Sequence, residues 1–393
     1  MKLLVRIALL LSGLLIPLVT VEGYVRTANP VPSENLLPYP YQHADLARII
    51  AGNAYVSFDR DLGWTPTPGA ARRQDGVNYA ANRAGLRAER DYELRPAPGT
   101  HRISAFGDSY TYCENVELRD CWTPMLEQHW SGSEVLNFGV PAYGPDQAWL
   151  RYQRDGAHLD SCGVLIGYMT ENVNRVVNRF RPFYKPPDGF VMSKPRFLLR
   201  DAGLELLPNP VSDVTQLQDP HWVETMLGPH DLWYFPGVFV PNPLDVFQVV
   251  RIGRTAMYRY RREGEINFQS DLARLTDRPY LTQAEAFQVT GRVLLGFYRE
   301  VLQRGQTPVI VVFGQRSDIE NAVNGREKSY RPLLNWLDRE GVVYLDVTDE
   351  LAREVRRTNL RTVIANHYRP RGNEIVARVL AQSLPGLMRG TCG

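Results

Sequence analysis

Short apolar segments of four to six residues alternate along most of the chain with longer stretches whose apolar residues fall at helical spacing. Glycine, proline or polar residues bound the short segments, which is typical of buried strands. Strands that alternate with helices form a mostly parallel sheet with helices on both faces. We therefore predict an α/β fold with a doubly wound, mostly parallel five-stranded sheet. Its strands are predicted at Arg102–Phe106, Val135–Phe138, Val164–Met169, Pro308–Phe313 and Val342–Leu345.

The helices are indicated by apolar residues three or four positions apart, with proline or a capping box at some of their starts. Residues 185–268 interrupt the alternation with a predicted hairpin over Phe197–Leu207, an aromatic and proline-rich loop, and a basic helix over Leu244–Arg262. We interpret this segment as an insertion. The other helices are predicted at Trp122–Trp130, Pro145–Leu159, Val173–Phe180, Thr282–Arg304, Tyr330–Glu340, Asp349–Arg357 and Gly372–Leu384.

Two segments precede the first strand. Residues 1–23 begin with basic residues and continue uncharged and mostly apolar to Val21, which predicts a signal peptide or an uncleaved N-terminal membrane anchor. Either one places the body of the protein outside the cytoplasm: periplasmic, secreted or attached to a membrane by its N-terminus. Residues 24–100, rich in Pro, Asn, Arg and Gly, predict an irregular arm without chemistry. The sheet domain then covers residues 101–184 and 269–393, on either side of the insertion.

The composition excludes some classes of function. There are 45 Lys and Arg residues against 43 Asp and Glu, and no dense basic run, so nucleic acid is not a predicted partner. The apolar fraction of 44% is enough for a large core. The four cysteines form no Cys-x-x-Cys pair, so no metal site is predicted, and nothing in the sequence implies a cofactor.

Four residues follow the ends of predicted strands. Ser109 follows the first strand, Gly139 the second and Asn172 the third, while His367 lies between the fifth strand and the last helix. The carboxyl ends of parallel strands share one edge of a sheet, where open α/β folds bind their ligands. We therefore expect these four residues to meet at that edge.

Their chemical types fit acyl transfer. Ser109 would attack a carbonyl carbon while His367 takes its proton. The oxyanion would be held by the backbone N–H groups of Ser109 and Gly139 and the side-chain amide of Asn172. Each residue also has a structural reading, as a turn or a helix cap, but the ordered set favours chemistry.

The same residues resemble the SGNH/GDSL hydrolases. The resemblance covers roughly Arg102–Leu384 without the insertion, and it implies a flavodoxin-like sheet and ester chemistry on small acyl groups, commonly acetyl esters of carbohydrate. Asp108 and Asn366 would then support the site. The motifs that carry the resemblance are Phe106–Thr111, Asn137–Gly144, Thr170–Asn172 and His367–Asn373.

Two positions depart from the pattern of that family. Val173 follows Asn172 where the family often has Asp, and no carboxylate lies two or three residues before His367. The acid of a triad orients the imidazole and stabilises its cation. Three arrangements stay open: a backbone carbonyl orients the ring, a distant residue such as Asp346 or Asp349 reaches it, or the site is weak. We favour a Ser-His dyad with no assigned acid.

The first functional hypothesis is an extracytoplasmic serine esterase or acyltransferase that acts on O-acyl groups, above all O-acetyl groups, of a carbohydrate polymer. Arg181 and Tyr184, just beyond Asn172, are candidate substrate-binding residues. The alternative is a catalytically degenerate polysaccharide-binding or assembly protein that keeps the fold, and the missing acid favours it. The sequence does not decide between hydrolysis and transfer, nor does it give the oligomeric state.

The cysteines suggest two disulfide bonds. Cys113 and Cys121 lie close together in the loop that follows Ser109. Cys162 precedes the third strand, and the last helix, which runs antiparallel to the strands, should bring Cys392 to the same amino edge of the sheet. We therefore predict the pairs Cys113–Cys121 and Cys162–Cys392, both of which require an oxidising compartment.

Overall fold

Five parallel strands form the centre of the computed structural model, which describes residues 13, 16–17, 19–28, 36–38, 43–185, 190–201, 203–267 and 280–390. Their spatial order is β2-β1-β3-β4-β5, and every neighbouring pair is parallel. This confirms the predicted α/β fold. In a sheet of this order the ligand crevice lies between β1 and β3, where the direction of winding reverses. The strands are β1 (His101–Phe106), β2 (Ser133–Asn137), β3 (Gly163–Met169), β4 (Thr307–Phe313) and β5 (Tyr344–Asp346).

Alternating side chains of the central strands enter two separate cores. In β4, Val309 and Val311 pack on one face of the sheet, whereas Ile310 and Val312 pack on the other. Successive side chains of a strand point to opposite faces, so a run of apolar residues fits a strand that is covered on both sides. The two cores therefore fix the register of the sheet, and with it the positions of the strand ends.

Most helices lie within a few residues of their predicted bounds, but the predicted helix Val173–Phe180 is wrong. A 3-10 turn, Thr170–Asn174, stands in its place. Asp231 of the insertion accepts hydrogen bonds from the backbone N–H groups of Arg179 and Phe180. In a helix these two N–H groups would donate to carbonyl groups of the preceding turn, so this distant residue competes with helix formation. The helices of the sheet domain are Ser109–Tyr112, Trp122–His129, Pro145–Arg151, Arg181–Tyr184, Glu285–Gln303, Arg316–Val323, Arg331–Arg339, Thr348–Arg357, Leu360–Val363 and Pro370–Leu387.

The arm before the sheet is more regular than the sequence predicts. It contains the helix His43–Ile50 and two antiparallel hairpins, Val56–Asp59 with Gly63–Pro66 and Ala71–Gln74 with Val77–Ala80. Each of these strands has only four residues and no clear alternation of buried and exposed positions, so the period-2 pattern that reveals a strand is missing.

The insertion contains the predicted hairpin, Arg196–Arg200 with Gly203–Leu207, and helices at Pro220–Leu227 and Gln248–Asn267. Residues 19–28 are helical, and Glu22 accepts hydrogen bonds from the backbone N–H groups of Gln248 and Val249. Most of the segment predicted as a signal peptide or anchor lies outside the described residues. Within the described ranges, no helix combines the length and the apolar character needed to span a bilayer.

Candidate active site

The turn after β1 presents the hydroxyl of Ser109 at the carboxyl edge of the sheet. A Cβ atom on Gly107 would lie 2.2 Å from Thr111 Oγ1 and 2.9 Å from the carbonyl oxygen of Gly167, so only glycine fits at this point of the turn. Asp108 then caps the short helix Ser109–Tyr112 by accepting a hydrogen bond from the N–H of Tyr110 at 2.9 Å. The strand, the glycine and the cap together fix the direction of the Ser109 side chain.

His367 reaches Ser109 from the turn before the last helix. Its Nε2 atom lies 2.8 Å from Ser109 Oγ. The ring packs against the ring of Tyr110, whose hydroxyl group donates to the carbonyl oxygen of Asn366 at 3.3 Å. The residue that follows the serine thus supports both the imidazole and the turn that carries it.

The other nitrogen of the imidazole is bound by a residue that the sequence analysis did not identify. His367 Nδ1 lies 2.6 Å from Asn115 Oδ1. With an amide oxygen as the acceptor, the ring carries its proton on Nδ1 and offers an unprotonated Nε2 to Ser109. Asp346 and Asp349, the acids considered above, instead bind Lys328 at 2.7 and 2.8 Å. The orienting group is a neutral side chain, six residues after the serine.

The loop that carries Asn115 is closed by a disulfide bond. Cys113 and Cys121 are joined, with their Cα atoms 5.4 Å apart, which confirms that predicted pair. Cys113 and Asn115 both have positive φ, at 61° and 71°, a conformation that non-glycine residues rarely adopt. The N–H of Asn115 also donates to the hydroxyl oxygen of Tyr79 at 3.0 Å. Cys392, the predicted partner of Cys162, lies outside the described residues.

The electrostatic surroundings keep the imidazole neutral. Burial, followed by the positive charges of Arg175 and Lys185, lowers the pKa of His367 to about 4. Glu114 Oε2 lies 3.5 Å from His367 Nε2, and its other oxygen is 4.0 Å from Arg72. Burial raises the pKa of Glu114, although Arg72 opposes this effect. At pH 7 the ring can therefore accept a proton.

Asn172 and Gly139, the predicted oxyanion donors, differ in their surroundings. Asn172 follows β3 and is 1% exposed, and its side-chain amide opposes the rise that burial causes in the pKa of Asp108, beside the serine. The N–H of Gly139 instead donates to Asn137 Oδ1 at 2.9 Å, because the side chain of Asn137 folds back over the end of β2. A Cβ on Gly139 would lie 2.3 Å from the backbone nitrogen of Tyr112, so this glycine lets β2 approach the serine-bearing helix.

A buried ionic network lies behind the serine. Arg175 contacts Asp108 at 3.3 Å and Glu171 at 2.6 Å. Burial raises the pKa of Asp108, and Arg175 opposes this effect. Burial acts in the same direction on Glu171, but Arg175, Lys185 and Arg181 outweigh it and lower the pKa of that carboxyl to about 2. The network holds the N-cap of the serine helix in place.

The candidate substrate residues Arg181 and Tyr184 separate in the structure. Arg181 lines the cavity that contains Ser109 and His367, whereas the ring of Tyr184 packs on Trp233, with centroids 4.7 Å apart. The Tyr184 hydroxyl donates to Glu171. Tyr184 therefore supports the ionic network and does not face the cavity.

The cavity has a volume of about 810 Å³, and the N-terminal arm builds much of its wall. The arm was predicted to carry no chemistry, but in the structure its residues line the same cavity as Ser109. The contributing residues of the arm are Arg48, Ile49, Asn53, Ala54, Tyr55, Val56 and Ala71–Gln74. Phe190 and Asn366 also line the cavity.

Comparisons with solved structures find matches of low sequence identity that cover most of both chains. A lipolytic protein of the G-D-S-L family from Desulfitobacterium hafniense has 10% identity and a TM-score of 0.33, and the match covers 72% of this chain and 99% of that one. A catalytic mutant of Axe2, an acetylxylan esterase from Geobacillus stearothermophilus, has 11% identity and a TM-score of 0.37, over 72% and 93%. The acetyl xylan esterase AlAXEase has 9% identity and a TM-score of 0.36, over 72% and 99%.

The matched structures are 9–11% identical to this chain, with TM-scores of 0.33–0.37. No family model matches it, and no curated protein matches its sequence. These similarities are distant, and they do not identify an activity or a substrate for this chain.

Proposed function

We propose that this protein is an extracytoplasmic serine esterase or acyltransferase that acts on O-acyl groups, O-acetyl foremost, of a carbohydrate polymer. The observation that carries the proposal is the chain of contacts from Ser109 Oγ to His367 Nε2 at 2.8 Å and from His367 Nδ1 to Asn115 Oδ1 at 2.6 Å. A serine becomes a nucleophile when an oriented base accepts its proton, and this chain supplies both the base and its orienting group.

In the proposed reaction Ser109 Oγ attacks the ester carbonyl carbon while His367 Nε2 takes the hydroxyl proton. The oxyanion would be stabilised by the N–H of Ser109, one of the helix N-terminal groups that have no partner within the helix, and by the amide of Asn172. His367 then returns the proton to the sugar oxygen, which leaves. Water or a second sugar hydroxyl would release the acyl group from Ser109 by the same steps in reverse.

Asn115 orients the ring without a negative charge. A Cys-His-Asn arrangement performs the same task in papain-like enzymes, so an amide is chemically sufficient. The missing acid favoured a degenerate binding protein. Asn115 takes its place as the group that orients His367, which favours an active enzyme instead. Glu114 lies close enough to His367 to help stabilise the imidazolium when it forms.

Mass spectrometry after treatment with a fluorophosphonate tests the proposal. We expect one adduct on Ser109, and none in the His367→Ala variant or in heat-denatured protein. Ser133→Ala serves as a matched control, because Ser133 lies at the opposite, amino end of a sheet strand. Absence of a Ser109 adduct in folded protein would reject an activated serine and restore the reading as a binding protein.

A further inference from the structure

Positive charge is concentrated around the candidate active site. The whole chain has a formal net charge of only +2. Among the described residues that line the cavity, in contrast, there are six cationic side chains and one carboxylate, that of Glu114. The six residues are Arg48, Arg72, Arg73, Arg175, Arg181 and Lys185.

These cations divide into an inner group and a rim. Arg175 is buried in the network with Asp108 and Glu171, and its charge serves to hold that network. Lys185, at the end of the helix that carries Arg181, has its Nζ atom 3.8 Å from Glu171. The charge at this inner end is therefore partly balanced by carboxylates.

The rim is formed by the N-terminal arm. Arg48 comes from the helix His43–Ile50, while Arg72 and Arg73 come from the hairpin strand Ala71–Gln74. Arg48 and Arg73 are exposed to solvent. The guanidinium of Arg72 lies over the rings of Tyr55 and Tyr79, and its Nε atom has no hydrogen-bond partner among the described residues. These three guanidinium groups line the same cavity as Ser109.

This arrangement suits a ligand with repeated negative charges. A cleft lined by one sign of charge focuses the electrostatic field and raises the local concentration of an oppositely charged substrate. Guanidinium groups bind planar carboxylates through two parallel hydrogen bonds. The cations come from three separate segments around the cavity, so they match charges spaced along a polymer better than one small anion.

We infer that the substrate is an acidic polysaccharide whose sugar units carry carboxylates, with the Arg48, Arg72 and Arg73 rim binding uronate groups while an O-acyl ester reaches Ser109. This inference rests on the proposed esterase or acyltransferase function and narrows its substrate class. The aromatic ring of Phe190 in the same cavity offers an apolar face for a sugar ring.

The test compares two O-acetylated oligosaccharides of equal length and acetylation, a polyuronate and its carboxyl-reduced neutral counterpart, by acetate release from the full-length protein. We expect kcat/KM for the acidic substrate to be about 10- to 100-fold higher at low salt. This preference should shrink as NaCl increases, because salt screens the rim charges. An acidic-to-neutral ratio near one at low salt would overturn the inference.

Substitutions in the rim then test which residues produce the preference for the acidic substrate. Arg48→Gln and Arg73→Gln should each lower the acidic-to-neutral ratio several-fold, mainly through a higher KM for the acidic substrate, and the double variant should lower it further. Arg95→Gln is the matched control, since Arg95 is an exposed arginine of the same arm that does not line the cavity. An unchanged ratio in the double variant would overturn the role of the rim.

Three further outcomes distinguish a failure of this inference from a failure of the proposed function. If the protein hydrolyses the neutral substrate and an aryl acetate but shows no preference for the uronate, the esterase proposal stands and the inference fails. If a sulfated oligosaccharide of equal charge competes better than a non-acetylated polyuronate, the rim selects another class of polyanion and the uronate assignment is wrong. Absence of turnover with every ester would remove the proposed function itself.

Discussion

The two nitrogen atoms of His367 face two differently built regions of the molecule. On the Nε2 side, Ser109 lies on a buried turn between β1 and its helix, and the whole sheet determines its position. On the Nδ1 side, Asn115 is an exposed residue with positive φ on a partly buried loop, which the bond between Cys113 and Cys121 closes. Ser109 is thus held by the hydrophobic core, whereas Asn115 is held by a loop that a disulfide bond closes and by the hydrogen bond from its N–H to the hydroxyl of Tyr79.

The two sides therefore have different roles in the proposed reaction. Ser109 forms the bond to the substrate, whereas Asn115 affects the orientation and basicity of the imidazole. The core fixes the nucleophile with the cooperativity of the entire domain, so small perturbations should not move it. The loop depends on a few local interactions and contributes the orientation and electrostatic surroundings of the imidazole. Substitutions on the two sides should therefore differ in size and in which kinetic property they change.

The largest effect is expected at the bond-making side. Ser109→Ala and His367→Ala should each lower kcat for an aryl acetate by roughly 10⁴- to 10⁶-fold, and the double variant should lose little more, because nucleophile and base act as a unit. Circular dichroism would verify that the fold is intact. A Ser109→Ala enzyme with wild-type turnover would disprove the mechanism.

Asn172→Ala tests the proposed oxyanion donor on the same side. It should lower kcat by about 10²- to 10³-fold with little change in KM, since such a donor acts mainly on the transition state. Asn174→Ala, in the same 3-10 turn, is the matched control and should have a small effect on kcat. A change confined to KM would make Asn172 a ligand of the ground-state substrate.

Asn115 tests the tuning side. Asn115→Ala should lower kcat/KM by about 10- to 100-fold, because a loosely oriented ring loses its alignment with Ser109.

Wild-type kcat/KM requires neutral His367, whose pKa is lowered to about 4, so it should stay flat near neutrality and fall only as the pH drops through about 4.

Asn115→Asp sharpens the same comparison. A carboxylate beside Nδ1 favours the imidazolium, so the acid limb of the pH profile should move upward by about one to three units. A limb at the same pH as in the wild type would show that Asn115 does not contact the ring in solution.

The disulfide bond should have the smallest effect on rate. Replacing Cys113 and Cys121 together by alanine should lower kcat a few-fold, by loosening the loop around Asn115, while Ser109 keeps its place. In the chain-entropy model, loss of a disulfide bond that closes a loop of this length should also lower the free energy of unfolding by roughly 2–3 kcal/mol. Dithiothreitol should reproduce the loss in the wild type but not in the double variant. Equal loss in both would assign the effect to other cysteines.

The parts of the site that the sequence predicts are those fixed by periodicity and strand order. Ser109, Asn172 and His367 follow strand ends or precede a helix, so the topology of the sheet brings them to one edge before any contact is known. Gly139 has the predicted position, but its N–H is taken by Asn137, a local choice of side-chain rotamer that no periodic pattern encodes.

The parts that escaped prediction depend on loops and on distant segments. Asn115 contacts a residue 252 positions away, from a loop whose conformation is set by a disulfide bond and positive φ angles. The available signal was its place within the predicted Cys113–Cys121 loop, next to the serine. The arm escaped because its four-residue strands have no alternation, although arginines such as Arg72 build the cavity wall.

The small loop between Cys113 and Cys121 also has a consequence for when the protein becomes active. Disulfide bonds rarely persist in the cytoplasm, where thiols are kept reduced. A newly made chain would therefore carry its orienting asparagine on an open loop until it reaches an oxidising compartment. Under the proposed function, the enzyme would turn over acyl esters a few-fold faster in an oxidising compartment than before the bond forms.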